Sequence, residues 1–212
     1  MTDTLNFYGF DYNGKTLRGW SKAAETRDIN YKIDITTNVD GQEYIGQIKA
    51  RQPDSGSDIG IALFQPRDRG DSDLSRATLR LLFSQKRYDL LSRKYARDLR
   101  YKGDIYCVLG NTWEQMAVMP YREVLQPILL ETMWEYLCGS EEELADYHRC
   151  FRSKLHDGVE LRYTVDRGRR SFDSALPKII CYVPFAYVCG KPGVQMMTMI
   201  EVPDYFSKVL HD

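Results

Sequence analysis

No stretch of this sequence approaches the roughly 18 consecutive apolar residues that a bilayer-spanning helix needs, so no membrane partner is expected. Cysteine is sparse and badly placed for cross-linking. Cys107, Cys138, Cys150, Cys181 and Cys189 are odd in number, far apart, and form no Cys-x-x-Cys pair. That argues against a disulfide framework or a zinc ribbon and for reduced thiols. No Asn-x-Ser/Thr sequon occurs, and residues 1–20 lack both a basic start and an apolar run of seven. The expected setting is therefore intracellular, cytoplasmic or nuclear. Neither charge sign dominates: 29 Lys+Arg stand against 30 Asp+Glu, for a net charge of −1. The balance argues against a wholly electrostatic nucleic-acid binder, but not against a local basic face. With three histidines, no G-x-S-x-G, no P-loop and no G-x-G-x-x-G, the common hydrolase and nucleotide signatures are missing. Internal repeats, Gly/Ser linkers and low-complexity tracts are missing as well.

What is present is a chain of 212 residues, 43% apolar and 28% charged. A globular chain of this size buries about 70% of its unfolded surface and needs no disulfide or metal to hold together. The expected organisation is one compact α+β domain over 1–212, with 1–119 and 120–212 as candidate sub-units.

Turn chemistry locates the strands. Asn13-Gly14 predicts a type I′ turn, because both central residues need positive φ. A hairpin over 6–21 follows, with Phe10 opposite Leu17 and Phe7 opposite Trp20. Asp40-Gly41 predicts a second and clearer hairpin. A two-residue loop there sets Val39 against Gln42, Ile35 against Gly46, Ile33 against Ile48 and Tyr31 against Ala50. One face is then apolar. The other carries Asn38/Glu43, Thr36/Ile45, Asp34/Gln47 and Lys32/Lys49. A one-residue slip would mix the two faces, so the register is well specified. A strand over 58–64 follows a polar loop.

After the charged loop 65–73, Leu74, Ala77, Leu81, Tyr88, Leu91, Tyr95 and Leu99 recur at helical spacing, predicting a helix over 74–101 with a break near Ser84. Residues 104–109 read as a buried strand in a third hairpin with 113–119. Pro120 opens a helix that Gly139 stops, with a kink or restart at Pro127. Ser140 and Glu143 form a capping box for another helix, carrying Leu144, Tyr147, Phe151 and Leu155 on one face. Residues 159–165, 178–189 and 194–202 read as strands. The last two are joined by Gly-Lys-Pro-Gly, which suits a type II turn, and a short helix starts at Asp204. The fold class is α+β: an N-terminal antiparallel sheet of hairpins, central helices and a C-terminal β-ribbon.

One constellation carries chemistry. Asp34 and the pair Gln47-x-Lys49 fall on one face of adjacent antiparallel strands, with a charged helix and another strand to follow. This arrangement resembles the PD-(D/E)xK nuclease core, over about residues 30–110. The resemblance implies that Asp34 is the first ligand of a divalent metal such as Mg²⁺, Gln47 the second, and Lys49 the catalytic lysine that helps activate water. Ile33 stands where that family often has Pro, and Gln47 where it has a second acid. Glu43, on the same face, is a substitute acid two pairs further along. Gln85 and Tyr88 are similar to a Gln…Tyr motif of a nuclease subset, one residue closer. Solvation alone also accounts for these residues, since an amphipathic hairpin must keep one face polar.

A basic run offers a second site. Lys86, Arg87, Arg93, Lys94, Arg97, Arg100 and Lys102 stand against only Asp89 and Asp98, with Tyr88, Tyr95 and Tyr101 interleaved. Such a helix face could track a phosphate backbone without cleaving it. Arg167, Arg169 and Arg170 join it only if folded nearby. Its structural alternative is a solvated face paired with Glu141, Glu142, Glu143 and Asp146. Arg69-Gly70-Asp71 matches the adhesion tripeptide by chance. His148 and His156 have no acid or thiol at a metal spacing. Met196, Met197 and Met199 read as core.

Because no catalytic set is complete, the leading expectation is a non-catalytic binding or assembly module that needs no cofactor. It would act through contacts with another protein or with itself as a homo-oligomer. The alternatives are the Mg²⁺-dependent nuclease and a non-cleaving nucleic-acid binder using residues 86–102.

Overall fold

A computed structural model describes residues 1–25, 27, 33–49, 58–64, 76–86, 101–110, 114–139, 150–164 and 178–200. Helices and sheets are both present, as the α+β reading requires. Among the described residues no helix is long and apolar enough to cross a membrane. The chain forms two compact units. The first comprises Met1–Ser57, Lys102–Leu125 and Val188–Asp212, and the second Asp58–Tyr101 and Gln126–Tyr187. Each is assembled from separate stretches, so no single cut in the chain divides them.

The first unit is built on a six-stranded sheet. Its strands are β3 (Ser21–Lys22), β4 (Ile35–Val39), β5 (Gln42–Lys49), β7 (Ile105–Leu109), β8 (Gln115–Pro120) and β12 (Gln195–Thr198), in the order β12-β8-β7-β5-β4-β3. Every neighbouring pair is antiparallel except β5 and β7, which run parallel. The second hairpin has the expected register from Val39↔Gln42 to Ile35↔Gly46. Its turn residues Asp40 and Gly41 have φ of 53° and 78°, the conformation that the Asp-Gly pair favours. The third hairpin also forms, with β7 antiparallel to β8.

A separate two-stranded ribbon, β1 (Phe10–Tyr12) and β2 (Lys15–Leu17), turns at Asn13-Gly14 and pairs Phe10 with Leu17 as the sequence predicts. The expected Phe7/Trp20 pair does not form, because Thr2–Tyr8 is a helix, α1. Asn6 restores the link with its side chain. Its Nδ2 donates to the Trp20 carbonyl at 3.0 Å, and its Oδ1 accepts from the Trp20 N–H at 2.6 Å. α1 ends at Gly9, whose N–H bonds the Leu5 carbonyl at 2.8 Å and whose φ of 73° turns the chain out of the helix. One sheet face packs Ile35, Ile105, Cys107, Leu109, Met116, Val118 and Met197 against Leu5, Phe10 and Leu17. β7 is buried at every position, so both faces of the sheet are covered there.

The second unit holds a four-stranded antiparallel sheet of β6 (Asp58–Phe64), β9 (Cys150–Arg152), β10 (Glu160–Thr164) and β11 (Lys178–Pro184), in the order β6-β11-β10-β9. It also holds α2 (Arg76–Ser84) and α3 (Gln126–Cys138), the latter packed on β10. Alternation along β11 buries Ile179, Cys181 and Val183, while Ile180 and Tyr182 are half-buried with the Arg162 guanidinium over the Tyr182 ring at 4.4 Å.

Several expectations are corrected here. The C-terminal β-ribbon does not form: β11 pairs with β6 and β10, whereas β12 pairs with β8 in the other unit. Pro184 ends β11, and Phe185–Cys189 is a helical turn, α4. Pro120 closes β8, and the helical stretch expected from it begins at the next residue and runs to Cys138. A π-helical turn, Tyr121–Leu125, precedes α3, so the restart falls beside Pro127. Phe151 lies in β9 and Leu155 in an exposed loop, so neither belongs to a helix face. Of the helix expected over 74–101, α2 forms and the expected break near Ser84 is present, while residues 87–100 lie outside the described residues. α2 ends at Ser84, and Lys86 has a positive φ of 53°. The capping box at 140–143 and the helix from Asp204 lie outside the described residues.

Gly46 is where β5 can least tolerate a side chain. A Cβ there would sit 2.8 Å from Ile105 Cγ1 and 2.9 Å from Ile35 Cγ1. Gly46→Ala should therefore destabilise the protein by about 1–3 kcal/mol, through overpacking between two neighbouring strands. Urea denaturation followed by circular dichroism checks this, with Gly60→Ala, whose nearest contact is 3.3 Å, as the milder comparison.

Candidate functional site

Asp34, the first of the nuclease-like residues, lies where β4 gives way to side-chain bonding. The β4/β5 ladder stops at Ile35↔Gly46. Asp34, the preceding residue, sends its N–H to the Gly46 carbonyl at 2.9 Å, and its carbonyl accepts from Ala23 N–H at 2.8 Å. Its carboxylate Oδ2 accepts from the Ile48 N–H at 2.6 Å. The Ile33/Ile48 and Asp34/Gln47 pairs therefore do not continue the ladder, because a side-chain acceptor has replaced a backbone one. Tyr31, Lys32 and Ala50 lie outside the described residues. Ile48 separates Gln47 from Lys49, so the carboxylate is anchored to the strand between the two residues assigned with it. Strand alternation puts Gln47 and Lys49 on one face.

Burial decides between a wet face and a built site. Asp34 and Lys49 are half-buried, but Gln47 is only 4% exposed. Its carbonyl Oε1 has no hydrogen-bond partner among the described residues. The cause is β7. Gln47 lies one residue beyond the β4 ladder on one side and registers with Tyr106 on the other, and Tyr106 stacks on Tyr121 with centroids 5.9 Å apart. A hairpin alone would leave that position wet, whereas a sheet interior does not. An unsatisfied buried acceptor costs about 1–3 kcal/mol and calls for an explanation. Trp20 Nε1 and Thr132 Oγ1 share that condition, but neither stands on a strand beside an acid and a lysine. Glu43 is no substitute acid. Arg27 holds it bidentately at 2.7 and 3.0 Å, and these hydrogen bonds keep its carboxyl below its ordinary range.

The donors at Asp34 and Gln47 suit a hard cation in kind, since both are oxygens. Among the described residues no three His, Cys, Asp or Glu side chains converge on a metal position. Any Mg²⁺ would have only the Asp34 carboxylate and the Gln47 carbonyl to draw on from these three residues, leaving most of its octahedral shell to water. Cys107, in register with Ile48, is not a competing soft ligand. Burial first, and the Asp34 charge second, push its thiol far above the ordinary range and keep it protonated.

The basic run is not assembled into a site by the described residues. Lys86 and Lys102 are exposed, and Arg87, Arg93, Lys94, Arg97 and Arg100 lie outside them, as do Arg167, Arg169, Arg170 and the acidic segment 141–146.

Two further groupings escaped the sequence reading. In the first unit, Asp104 Oδ2 accepts from the Ile45 N–H at 2.9 Å, and the Tyr12 hydroxyl donates to Glu123 Oε1 at 3.4 Å. Burial raises the Asp104 carboxyl above its ordinary value, and the Glu123 charge adds to the shift. Burial raises the Tyr12 phenol too, again reinforced by Glu123. In the second unit, the buried His156 ring bridges two elements. Its Nδ1 lies 2.9 Å from the Tyr187 hydroxyl, and its Nε2 lies 2.9 Å from Glu131 Oε2, off the N–H axis of an aligned hydrogen bond. Nearby, Glu135 takes Ser153 Oγ at 2.7 Å and Lys154 N–H at 2.6 Å. Both α3 carboxylates thus hold the β9–β10 loop. Glu131 and His156 are too far apart in sequence for spacing to reveal the contact. Searches against family models, curated proteins and solved structures find no match to this chain.

Two outcomes follow from these bonds. Asp34→Ala leaves the Ile48 N–H without its acceptor and should cost about 1–3 kcal/mol in urea denaturation, whereas Asp34→Asn keeps an oxygen there and should cost less. Asp104 has a raised folded-state pKa, so its ionisation opposes folding. That penalty is absent below the unfolded carboxyl value and sets in as pH rises through the folded one. Asp104→Asn should therefore be stabilising relative to the parent at pH 7, with the gain shrinking toward pH 3, in denaturation curves at both pH values.

Proposed function

We propose that this chain is a divalent-cation-dependent nuclease whose site is Asp34, Gln47 and Lys49. The observation that carries the reading is the Gln47 carbonyl, buried and without a partner among the described residues, on the strand that presents Lys49 and binds the Asp34 carboxylate between them. A face built only for solvation would not bury that oxygen.

Each residue then has a role. Asp34, fixed by the Ile48 N–H, offers an anionic oxygen that needs no reorganisation. Gln47 offers a neutral oxygen at the floor of the site. Lys49 places its ammonium where phosphate charge develops during cleavage. A bound Mg²⁺ or Mn²⁺ would supply Lewis acidity and a water of lowered pKa. The substrate class is a phosphodiester of DNA or RNA.

A second reading, assembly through protein contacts, draws on exposed apolar residues. Phe7 is 65% exposed, and its α1 neighbour Tyr8 is also exposed. Such a patch suits a contact with another protein or a second copy of the chain. Light scattering tests it: Phe7→Ser should abolish any concentration-dependent increase in mass.

Incubation of supercoiled plasmid and of single-stranded DNA or RNA with Mg²⁺ or Mn²⁺ tests the nuclease reading. Cleavage is expected with the parent protein, and Lys49→Ala should reduce it about 100- to 1000-fold, the loss typical of one charge-stabilising donor. Cleavage that survives Lys49→Ala removes this site from the reaction.

A further inference from the structure

The two edges of the six-stranded sheet are finished differently. At one edge β3 is only two residues long and carries Lys22. Shortness and a lysine are both means by which a sheet resists further strands. At the other edge β12, Gln195–Thr198, carries no charge. Its backbone alternates in direction. Met199 N–H reaches the Glu114 carbonyl at 2.7 Å, extending the β8 ladder by one residue. Gln195, Met197 and Met199 therefore bond inward to β8, and the backbone groups of Val194, Met196, Thr198 and Ile200 point away from it. The two flanking N–H groups are taken. Val194 donates to the Lys191 carbonyl at 3.3 Å, and Ile200 donates to Thr4 Oγ1 at 3.3 Å. Between them, the outward N–H and C=O of Met196 and Thr198 have no partner among the described residues. Both residues are exposed, Met196 at 43%.

This window is complementary to itself. In an antiparallel pair with a twofold axis at Met197, Met196 lies opposite Thr198 of the second copy, and Thr198 opposite its Met196. Both are then hydrogen-bonded pairs, each exchanging two N–H···O bonds. Every open donor meets an open acceptor, and no charged side chain stands on either strand. A slip of one residue would set outward groups against inward ones. A slip of two would bring the occupied N–H of Val194 or Ile200 into the ladder. The register is therefore single.

We propose that β12 is a self-pairing edge that joins two copies of this chain through an antiparallel β12–β12 contact centred on Met197. The contact is separate from the nuclease reading and from the exposed α1 residues. Being short, it belongs at the small end of interface sizes, so association is weak and follows protein concentration.

The test is light scattering of the full chain over a concentration series, together with amide hydrogen exchange followed by nuclear magnetic resonance. Mass should rise toward that of a dimer. Exchange at the Met196 and Thr198 amides should slow with concentration, while Gln195 and Met197, already bonded to β8, keep their rates. Thr198→Pro removes an outward N–H without touching the β8 ladder, so it should abolish the rise in mass and leave the circular dichroism unchanged. Should that variant fail to fold, Met196→Lys, at an exposed position, should abolish the rise as well. A strict monomer at every concentration overturns the pairing. Protection of the two amides that does not depend on concentration also overturns it, since the chain would then cover its own edge. A dimer that survives Thr198→Pro but is lost in Phe7→Ser belongs to α1 and overturns it too. None of these outcomes touches the nuclease reading.

Discussion

The parallel pairing of β5 with β7 is the constraint on which the first unit rests. A parallel neighbour cannot be reached by a tight turn, so the chain must leave the sheet after Lys49 and return at Ile105. The return makes β5 an interior strand, held on both flanks. Two carboxylates fasten it. Asp34, from the β4 side, takes the Ile48 N–H, and Asp104, from the β7 side, takes the Ile45 N–H. Gly46 lies between these two anchors and is small because Ile35 and Ile105 close over it. Strand position, backbone anchoring and side-chain size are thus set together within four consecutive residues.

These anchors also explain why acids stand where a sheet would otherwise use backbone carbonyls. At Asp34 the regular ladder has ended, and at Asp104 the parallel ladder is about to begin. A backbone N–H left unbonded at such a junction carries a desolvation cost that a neighbouring carboxylate removes. The charge is partly desolvated in turn, as the raised Asp104 carboxyl shows. Lost hydrogen bonding is exchanged for partial burial of charge, and the exchange stays favourable while each acid keeps some contact with water.

Local chemistry made much of this legible. Asn13-Gly14 and Asp40-Gly41 specify their turns through positive φ, and the register from Val39↔Gln42 inward follows from loop length alone. The same loop length puts Asp34 beside the end of β5, where its carboxylate takes the Ile48 N–H. What could not be read was which strands flank the hairpin. Apolar runs such as 178–184 and 194–198 look alike in sequence, yet β11 joins one sheet and β12 the other. Long-range pairing is decided by shape and packing, not by periodicity. α1 was hidden too, because Asn6 makes through its side chain the link to Trp20 that strand pairing was expected to make. The bridge from Glu131 through His156 to Tyr187 depends on tertiary docking, which residue spacing does not encode.

The identity of residue 47 follows from the same balance of burial and charge. An acid there would stand on an interior strand beside Asp34, and two carboxylates close together in partly desolvated surroundings raise one another's pKa until one holds a proton. An apolar residue would relieve the burial but leave no oxygen. Glutamine supplies an oxygen with no like-charge repulsion, at the cost of one unsatisfied acceptor of about 1–3 kcal/mol. A cost of that size is tolerable against the total stability of a domain, about 5–15 kcal/mol. It is also large enough that a residue kept only for solvation would be expected to turn toward water or hydrogen-bond a neighbour. Tyr106, in register beside it, is itself stacked on Tyr121, so the local packing holds Gln47 in place. The strand that closes the sheet on both flanks is therefore also the strand that keeps this oxygen buried.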